Sequence, residues 1–319
     1  MKILLKKTIL YSICFLVILE ILVRIFHLHK DTPKRYVDTF EVEKWLPNQT
    51  GFAVTGNRRQ NFSEYRINQF GFNSYHEFDP KPDRYEVALV GDSFIEGFHQ
   101  PYRKSIGTMV EEELDSIQVY EYGYAGYDFA DQLHLVHAYD SHFRDIDYII
   151  FGLKFKNDLT RDQYEVQIDR LRLDSPPYSW LKQSKLLVYL QSIGALDPFK
   201  NSVAQLSSFT VSFLQPSAEK PALAPTDTIS KHALYLKNFR TLLKKYPVNL
   251  SKIAFMLDTK ETPNEFLIYL KTQNIPILNI GEPLSESKMP TTLVYDKHWN
   301  YTGRKIVAKT IASYINRIK

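Results

Sequence analysis

At 319 residues, with 44% hydrophobic side chains, the chain is long enough to bury one large core or two modest ones, which excludes a disordered tail. Its formal charge is +4, but residues 1 to 30 hold five of the 40 basic and one of the 36 acidic residues, leaving 35 of each in the remainder. A neutral body has no basic stripe, which sets nucleic acid aside as a partner, and a single cysteine, Cys14, excludes an intrachain disulfide.

In chain order, the first predicted element is a helix over Thr8 to Leu28, about the length that crosses a bilayer core. Lys2, Lys6 and Lys7 favour a cytoplasmic N-terminus, placing everything after His29 outside. Thr8 to Leu19 is free of charge; Glu20 and Arg24 stand four apart on one face, where they can pair. No A-x-A-like cleavage site comes after it, so residues 1–29 are expected to be an uncleaved anchor in the lipid bilayer, with Cys14 as a buried apolar side chain within it.

Residues 30–84 are polar and aromatic, with turn-forming pairs and little helical periodicity, and are expected to be a β-rich lead-in packed on the domain that begins at Tyr85. There the pattern changes. Tyr85 to Asp92, Gln118 to Tyr122, Tyr148 to Phe155, Lys252 to Leu257 and Ile275 to Ile280 are compact apolar runs of the kind that form buried parallel strands. Helical segments are predicted at Ser105 to Leu114 and at roughly 128 to 140, 231 to 246, 263 to 273 and 303 to 318. This alternation predicts an α/β fold with helices on both faces of a parallel sheet. Residues 160–230 break the rhythm with an amphipathic helix over Tyr178 to Ile193 and a Pro/Ser/Ala-rich stretch, Pro216 to Pro225, expected to be mobile. They read as an insertion between the third and fourth strands, where it would overhang the strand ends at which open α/β sheets bind ligands.

Four short blocks fall at predicted strand ends. Gly91-Asp92-Ser93-Phe94 would hold a serine out at the sheet edge beside backbone amides. Gly123 to Gly126 comes after the second strand, two glycines that permit a tight turn and present an amide there. Asn157, after the third strand, can donate its side-chain amide to an anionic oxygen, which a carboxylate cannot do. Asp296-Lys-His298-Trp-Asn300-Tyr-Thr-Gly303 offers an imidazole able to take and return a proton near neutral pH, with a carboxylate two positions earlier. Singly, each block is a common turn or cap. His134 and His137 share a predicted helix, but no carboxylate or Cys pattern completes a zinc set, so no metal is expected.

The order Ser, Gly, Asn, Asp and His across these ends resembles the SGNH, or GDSL-like, hydrolase superfamily over residues 85–319, with 160–230 unmatched. The resemblance implies a flavodoxin-like three-layer sandwich with a mainly parallel five-stranded sheet and no cofactor. It also implies roles for single residues. Ser93 would be the nucleophile, His298 the general base and Asp296 its orienting acid. The Ser93 backbone N–H, the Gly126 N–H and the Asn157 amide would form the oxyanion hole. Two departures stand out: Gly152 lies five residues before Asn157 where the family has Gly-x-Asn-Asp, and the acid precedes His298 by two rather than three.

That tighter last block is similar to the membrane-associated bacterial branch involved in acetylating or assembling surface polysaccharides. Ile67 to Asn73 and the charged-ended anchor are similar to the same branch. What it implies is a single-pass inner-membrane protein with a periplasmic or extracellular catalytic domain. It would be a serine esterase or O-acyltransferase acting on O-acetylated cell-surface carbohydrate, with a membrane acyltransferase or polysaccharide-assembly protein as partner. Two other readings stay open: a non-catalytic glycan-binding or assembly protein, and a lipid-active esterase drawing on the 21 tyrosines and 20 phenylalanines.

Overall fold

A computed structural model describes residues 2–55, 59–172, 174–197 and 225–319, with the backbone alone described at 225–230. The Pro216 to Ala224 part of the expected mobile stretch lies outside these residues. The first helix, α1 (Lys2–Ile25), is succeeded by short strands β1 (Arg35–Val37), β2 (Glu43–Trp45), β3 (Thr50–Thr55) and β4 (Asn61–Arg66). Then come β5 (Tyr85–Gly91), α2 (Ser93–Glu96), α3 (Ile106–Glu111), β6 (Ile117–Gly123), α4 (Phe129–Ala138), α5 (Asp140–Phe143), β7 (Tyr148–Gly152) and α6 (Phe155–Asp158). After α7 (Ile168–Arg172), α8 (Tyr178–Leu181) and α9 (Lys185–Ser192) the chain resumes with α10 (Pro225–Lys245), β8 (Ile253–Leu257), α11 (Asn264–Thr272), β9 (Ile277–Asn279), α12 (Gly281–Ser285) and α13 (Tyr301–Ile318).

Chain contacts divide these residues into two units. The larger comprises Pro33–Ala53, Ser63–Gln167 and Ala224–Lys319. Its centre is a five-stranded sheet in the order β6-β5-β7-β8-β9, every pair parallel, the 2-1-3-4-5 order of flavodoxin-like folds. Alternation along a strand sends neighbours to opposite faces. From β5, Ala88 and Val90 enter a core with Phe129 of α4, Phe239 of α10 and Phe266 of α11. Val87 and Leu89 enter the other core, with Ile106 of α3 and Val307 and Ile311 of α13. Both faces being covered, β5 and β6 are buried almost without a break rather than at alternate residues, and the polar Glu86, Gln118 and Glu121 are buried with them. Two ladders precede the sheet: β1 with β2, antiparallel, and β3 with β4.

The smaller unit contains Met1–Thr32, Val54–Phe62 and the described part of Ile168–Leu223. Here α1 is long and apolar enough to cross a membrane, a property that signal sequences share. Among its described residues only Val23 is buried, so Cys14, expected to be buried, is exposed on the apolar surface of the helix.

Among the boundaries that differ from expectation, three have a clear local reason. Leu28 is outside α1, because His27 turns into the left-handed region (φ 46°) while the Leu28 N–H bonds back to the Val23 carbonyl. The third strand stops at Gly152 instead of Phe155, since the Asp158 carboxylate accepts the Lys154 N–H and pulls the chain into α6. The helix expected over Tyr178 to Ile193 is broken into α8 and α9, because Ser184 caps a new helix by accepting the Leu187 N–H.

Candidate active site

The turn after β5 is built by three residues. Asp92 caps α2, its carboxylate accepting the Phe94 N–H at 3.0 Å, and this makes Ser93 the first residue of the helix. Gly123 at the end of β6 lets α2 approach: a Cβ there would stand 2.0 Å from the Glu96 nitrogen. Glu96 in turn is held from the lead-in, accepting from Trp45 Nε1 at 2.8 Å and from the Ala125 N–H at 2.9 Å, while its carbonyl accepts from Asn73 Nδ2 at 2.7 Å. Burial pushes the Glu96 carboxyl up to about 7, against the pull of the Ala125 N–H.

The final block is equally local in its logic. Asn300 caps α13 by accepting the Gly303 N–H at 3.0 Å, and its amide staples the loop by donating to the Pro290 and Thr292 carbonyls. Gly303 has no room for a side chain, since a Cβ would meet the Thr291 oxygen at 2.2 Å. Asp296 Oδ1 accepts the His298 N–H at 2.8 Å, which fixes an acid two residues before the histidine. The spacing Asp-x-His-x-Asn-x-x-Gly is thus the spacing of one Asx-type turn leading into one capped helix.

The two blocks meet at the carboxyl edge of the sheet. Ser93 Oγ lies 2.8 Å from His298 Nε2, and His298 Nδ1 lies 3.2 Å from Asp296 Oδ1. The imidazole sits between two rings, Phe94 at 4.6 Å and His99 at 3.9 Å between centroids. Phe94 is itself covered by the Lys154 ammonium, 3.5 Å from its centroid, and Lys154 is fixed by Asp92 at 2.6 Å. Burial holds His298 below the ordinary imidazole range; Asp296 acts against this and Lys154 with it. The geometry allows His298 to accept the Ser93 proton, with Asp296 beside the other ring nitrogen to favour the imidazolium.

Gly126 and Asn157, the other two expected residues, are both exposed at this edge. Gly126 turns the chain after β6 with φ 93°, and Asn157 lies on α6. Asn157 lines a cavity of about 410 Å³ together with Asp92, Phe94, Met256, Leu284 and Trp299. Ser93, His298 and Asp296 are brought into contact; Gly126 and Asn157 share the edge with them.

Sequence reasoning passed over His99 and Lys154. His99 reaches the site through Gly97, whose left-handed conformation (φ 74°) ends α2 and redirects the chain. Its Nε2 is 3.5 Å from Asp296 Oδ2, and burial together with the neighbouring His298 lowers it to about 4. The only advance signal was a histidine six residues after the serine of the first block. His99, Asp296 and His298 bring three ligand-type atoms within 4.8 Å of one another. The two imidazoles are face to face, 22° from parallel, so their in-plane lone pairs run side by side instead of converging on an ion.

No family model and no curated protein sequence matches the chain. Among solved structures it is similar to a member of the lipolytic G-D-S-L family from Veillonella parvula, at 12% identity and TM-score 0.41, over 73% of this chain and 98% of that one. It is similar to a lipase/acylhydrolase from Enterococcus faecalis, at 10% identity and TM-score 0.39, over 72% and 94%. A third is a catalytic mutant of an acetylxylan esterase from Geobacillus stearothermophilus, at 11% identity and TM-score 0.33, over 74% and 96%.

Proposed function

We propose that the chain is a serine ester hydrolase or acyl-transfer enzyme of the SGNH type, carried by one observation above others: Ser93 Oγ is 2.8 Å from His298 Nε2, with Asp296 on the far side of the ring. In this reading Ser93 Oγ attacks the carbonyl carbon of an ester while His298 takes its proton. Negative charge then moves to the carbonyl oxygen, where the Ser93 and Gly126 N–H groups and the Asn157 amide would receive it. Collapse breaks the bond to the alkoxy group, which leaves as an alcohol with the proton from His298, and the acyl group stays on Ser93. A second hydroxyl, from water or from a sugar, is deprotonated by His298 and takes the acyl group, which restores Ser93. His99 is a positioning residue, holding the imidazole flat and sharing the Asp296 carboxylate.

The substrate class favoured is O-acetylated surface carbohydrate, on the strength of the last-block spacing and of α1, which would keep the enzyme at the outer face of a membrane. A second reading has one observation of its own: the adjoining cavity is floored by Ile95, Met256, Leu257, Ile280 and Leu284, which suits an acyl chain longer than acetyl. Rates with nitrophenyl esters of rising chain length separate the two, the first predicting a maximum at acetate.

The founding test incubates the protein with a fluorophosphonate probe and nitrophenyl acetate beside Ser93→Ala. Labelling and nitrophenol release by the parent alone support the reading. A folded parent that does neither overturns it in favour of a non-catalytic glycan-binding protein.

A further inference from the structure

The two charges that interrupt α1 are not free. The Glu20 carboxylate accepts from the backbone N–H groups of Lys185 and Leu186, at 2.9 and 2.8 Å, and from Ser184 Oγ at 3.1 Å. Arg24 donates from Nε to Glu20 at 2.8 Å and from its terminal nitrogen to the Gln183 carbonyl at 2.5 Å. Lys185 also pairs with Asp31, at 3.5 Å, just beyond the helix. So the N-terminus of α9 is clasped to the last turns of α1, and the otherwise costly charges on an apolar helix are satisfied there.

The height of this clasp is set by helix geometry. At about 1.5 Å per residue, Glu20 stands roughly 18 Å along the axis from Thr8, where the apolar run begins, and Ile25 roughly 26 Å, so the turns that carry the clasp approach the far boundary of a hydrocarbon layer about 30 Å thick. Immediately before the clasp is α8, with Trp180 67% and Leu181 51% exposed. Trp180 is four residues from Ser184, so its Cα lies no more than about 14 Å from the clasp. Tyr178 and Lys182 flank this pair. A Trp and a Tyr beside an exposed leucine and a lysine, at the end of a span, is the composition that settles among lipid headgroups.

We infer that α8, held by the Glu20–Arg24 clasp, is a second membrane contact: it lies at the headgroup–acyl boundary of the bilayer that α1 crosses, with Trp180 and Leu181 inserted. The inference rests on α1 being a membrane helix. It gives the described part of the insertion a lipid surface as its partner.

The test uses the full chain in mixed phosphatidylcholine–phosphatidylglycerol vesicles with an environment-sensitive fluorophore at one cysteine. Three positions are compared: native Cys14 in α1; Leu181→Cys in a Cys14→Ser background; and, in the same background, Met289→Cys at an exposed site of the larger unit. Nitroxide lipids carry the quencher either near the headgroup or near the end of the acyl chain. Expected are strong deep quenching at position 14, blue-shifted emission with strong shallow quenching at 181, and neither at 289. Adding Glu20→Ala should return the 181 probe toward the emission of the 289 probe. If position 14 is quenched while 181 behaves like 289, the inference fails and the anchor stands; a protein partner for α8 would give that result. If position 14 is not quenched, the membrane reading of α1 fails, and the inference with it.

Discussion

His99 lies face to face with His298, their ring centroids 3.9 Å apart, and points Nε2 at the Asp296 oxygen opposite the one that His298 faces. One carboxylate thus serves two stacked imidazoles, and only one of them reaches Ser93. The stack fixes the plane of His298, while the low proton affinity of His99 keeps a second positive charge away from the imidazolium that the proposed acyl transfer would form.

From that relationship, His99→Phe should keep most of the activity and His99→Ala should lose it. The phenyl ring preserves the flat contact; the alanine leaves His298 free to tilt off the Ser93 direction. A loss of about tenfold in kcat, or about 1.4 kcal/mol, with little change in KM is the expected size for Ala. Equal losses in both variants would mean that the nitrogen at Asp296, not the stack, carries the role.

The acid limb of kcat/KM should report His298 in the free enzyme and fall below pH 6.5, because burial holds that group under its ordinary value. Its charged neighbours set the sign of each variant. Removing the ammonium in Lys154→Met deletes a charge that opposes protonation and leaves Asp92 unneutralised, so the limb should move to higher pH. Asp296→Asn deletes the charge that favours protonation, so the limb should move lower. Opposite shifts from the two variants are the result to look for in stopped-time assays across pH 4 to 8; a common direction would refute the electrostatic account.

The two glycines of the second block should behave unlike each other. Gly123→Ala puts a Cβ into the backbone of α2 and should cost several kcal/mol or abolish folding. Gly126→Ala carries the strain of φ 93° and should cost about 1–2 kcal/mol. Urea midpoints for the pair decide this, and a Gly126→Ala protein that folds yet hydrolyses slowly would tie the lost activity to the turn itself.

The first and last blocks were legible in the sequence because each is made by its own neighbours. Asp92 caps the helix that it precedes, Asp296 accepts the N–H two residues on, and Asn300 caps with the amide three residues on. The parallel sheet was legible in the alternation of apolar runs with helical segments, whereas its flavodoxin-like order was implied only by the family resemblance. What could not be read depended on distant chain. Lys154 matters through Asp92, 62 residues earlier, and Glu20 through backbone more than 160 residues later. Nor does a sequence say that Gly97 turns His99 onto His298, since that needs both ends of the sheet edge at once.

Glu96 supplies a prediction about stability that is separate from turnover. Its folded value, near 7, is above the 4.5 of an ordinary glutamate because the carboxyl is buried. Between these values the folded chain binds more protons than the unfolded one, so this group's contribution is fully present below pH 4.5 and is lost as pH rises through 7. Glu96→Gln keeps an oxygen to accept from Trp45 and Ala125 and has no proton to lose. Its unfolding free energy should therefore change less between pH 5 and 8 than the parent's, a difference on the order of 1–3 kcal/mol in urea titrations across that range. Parallel curves for the two proteins would mean that Glu96 is ionised in the fold at both ends of the range, and that Trp45 and Ala125 hold a carboxylate there.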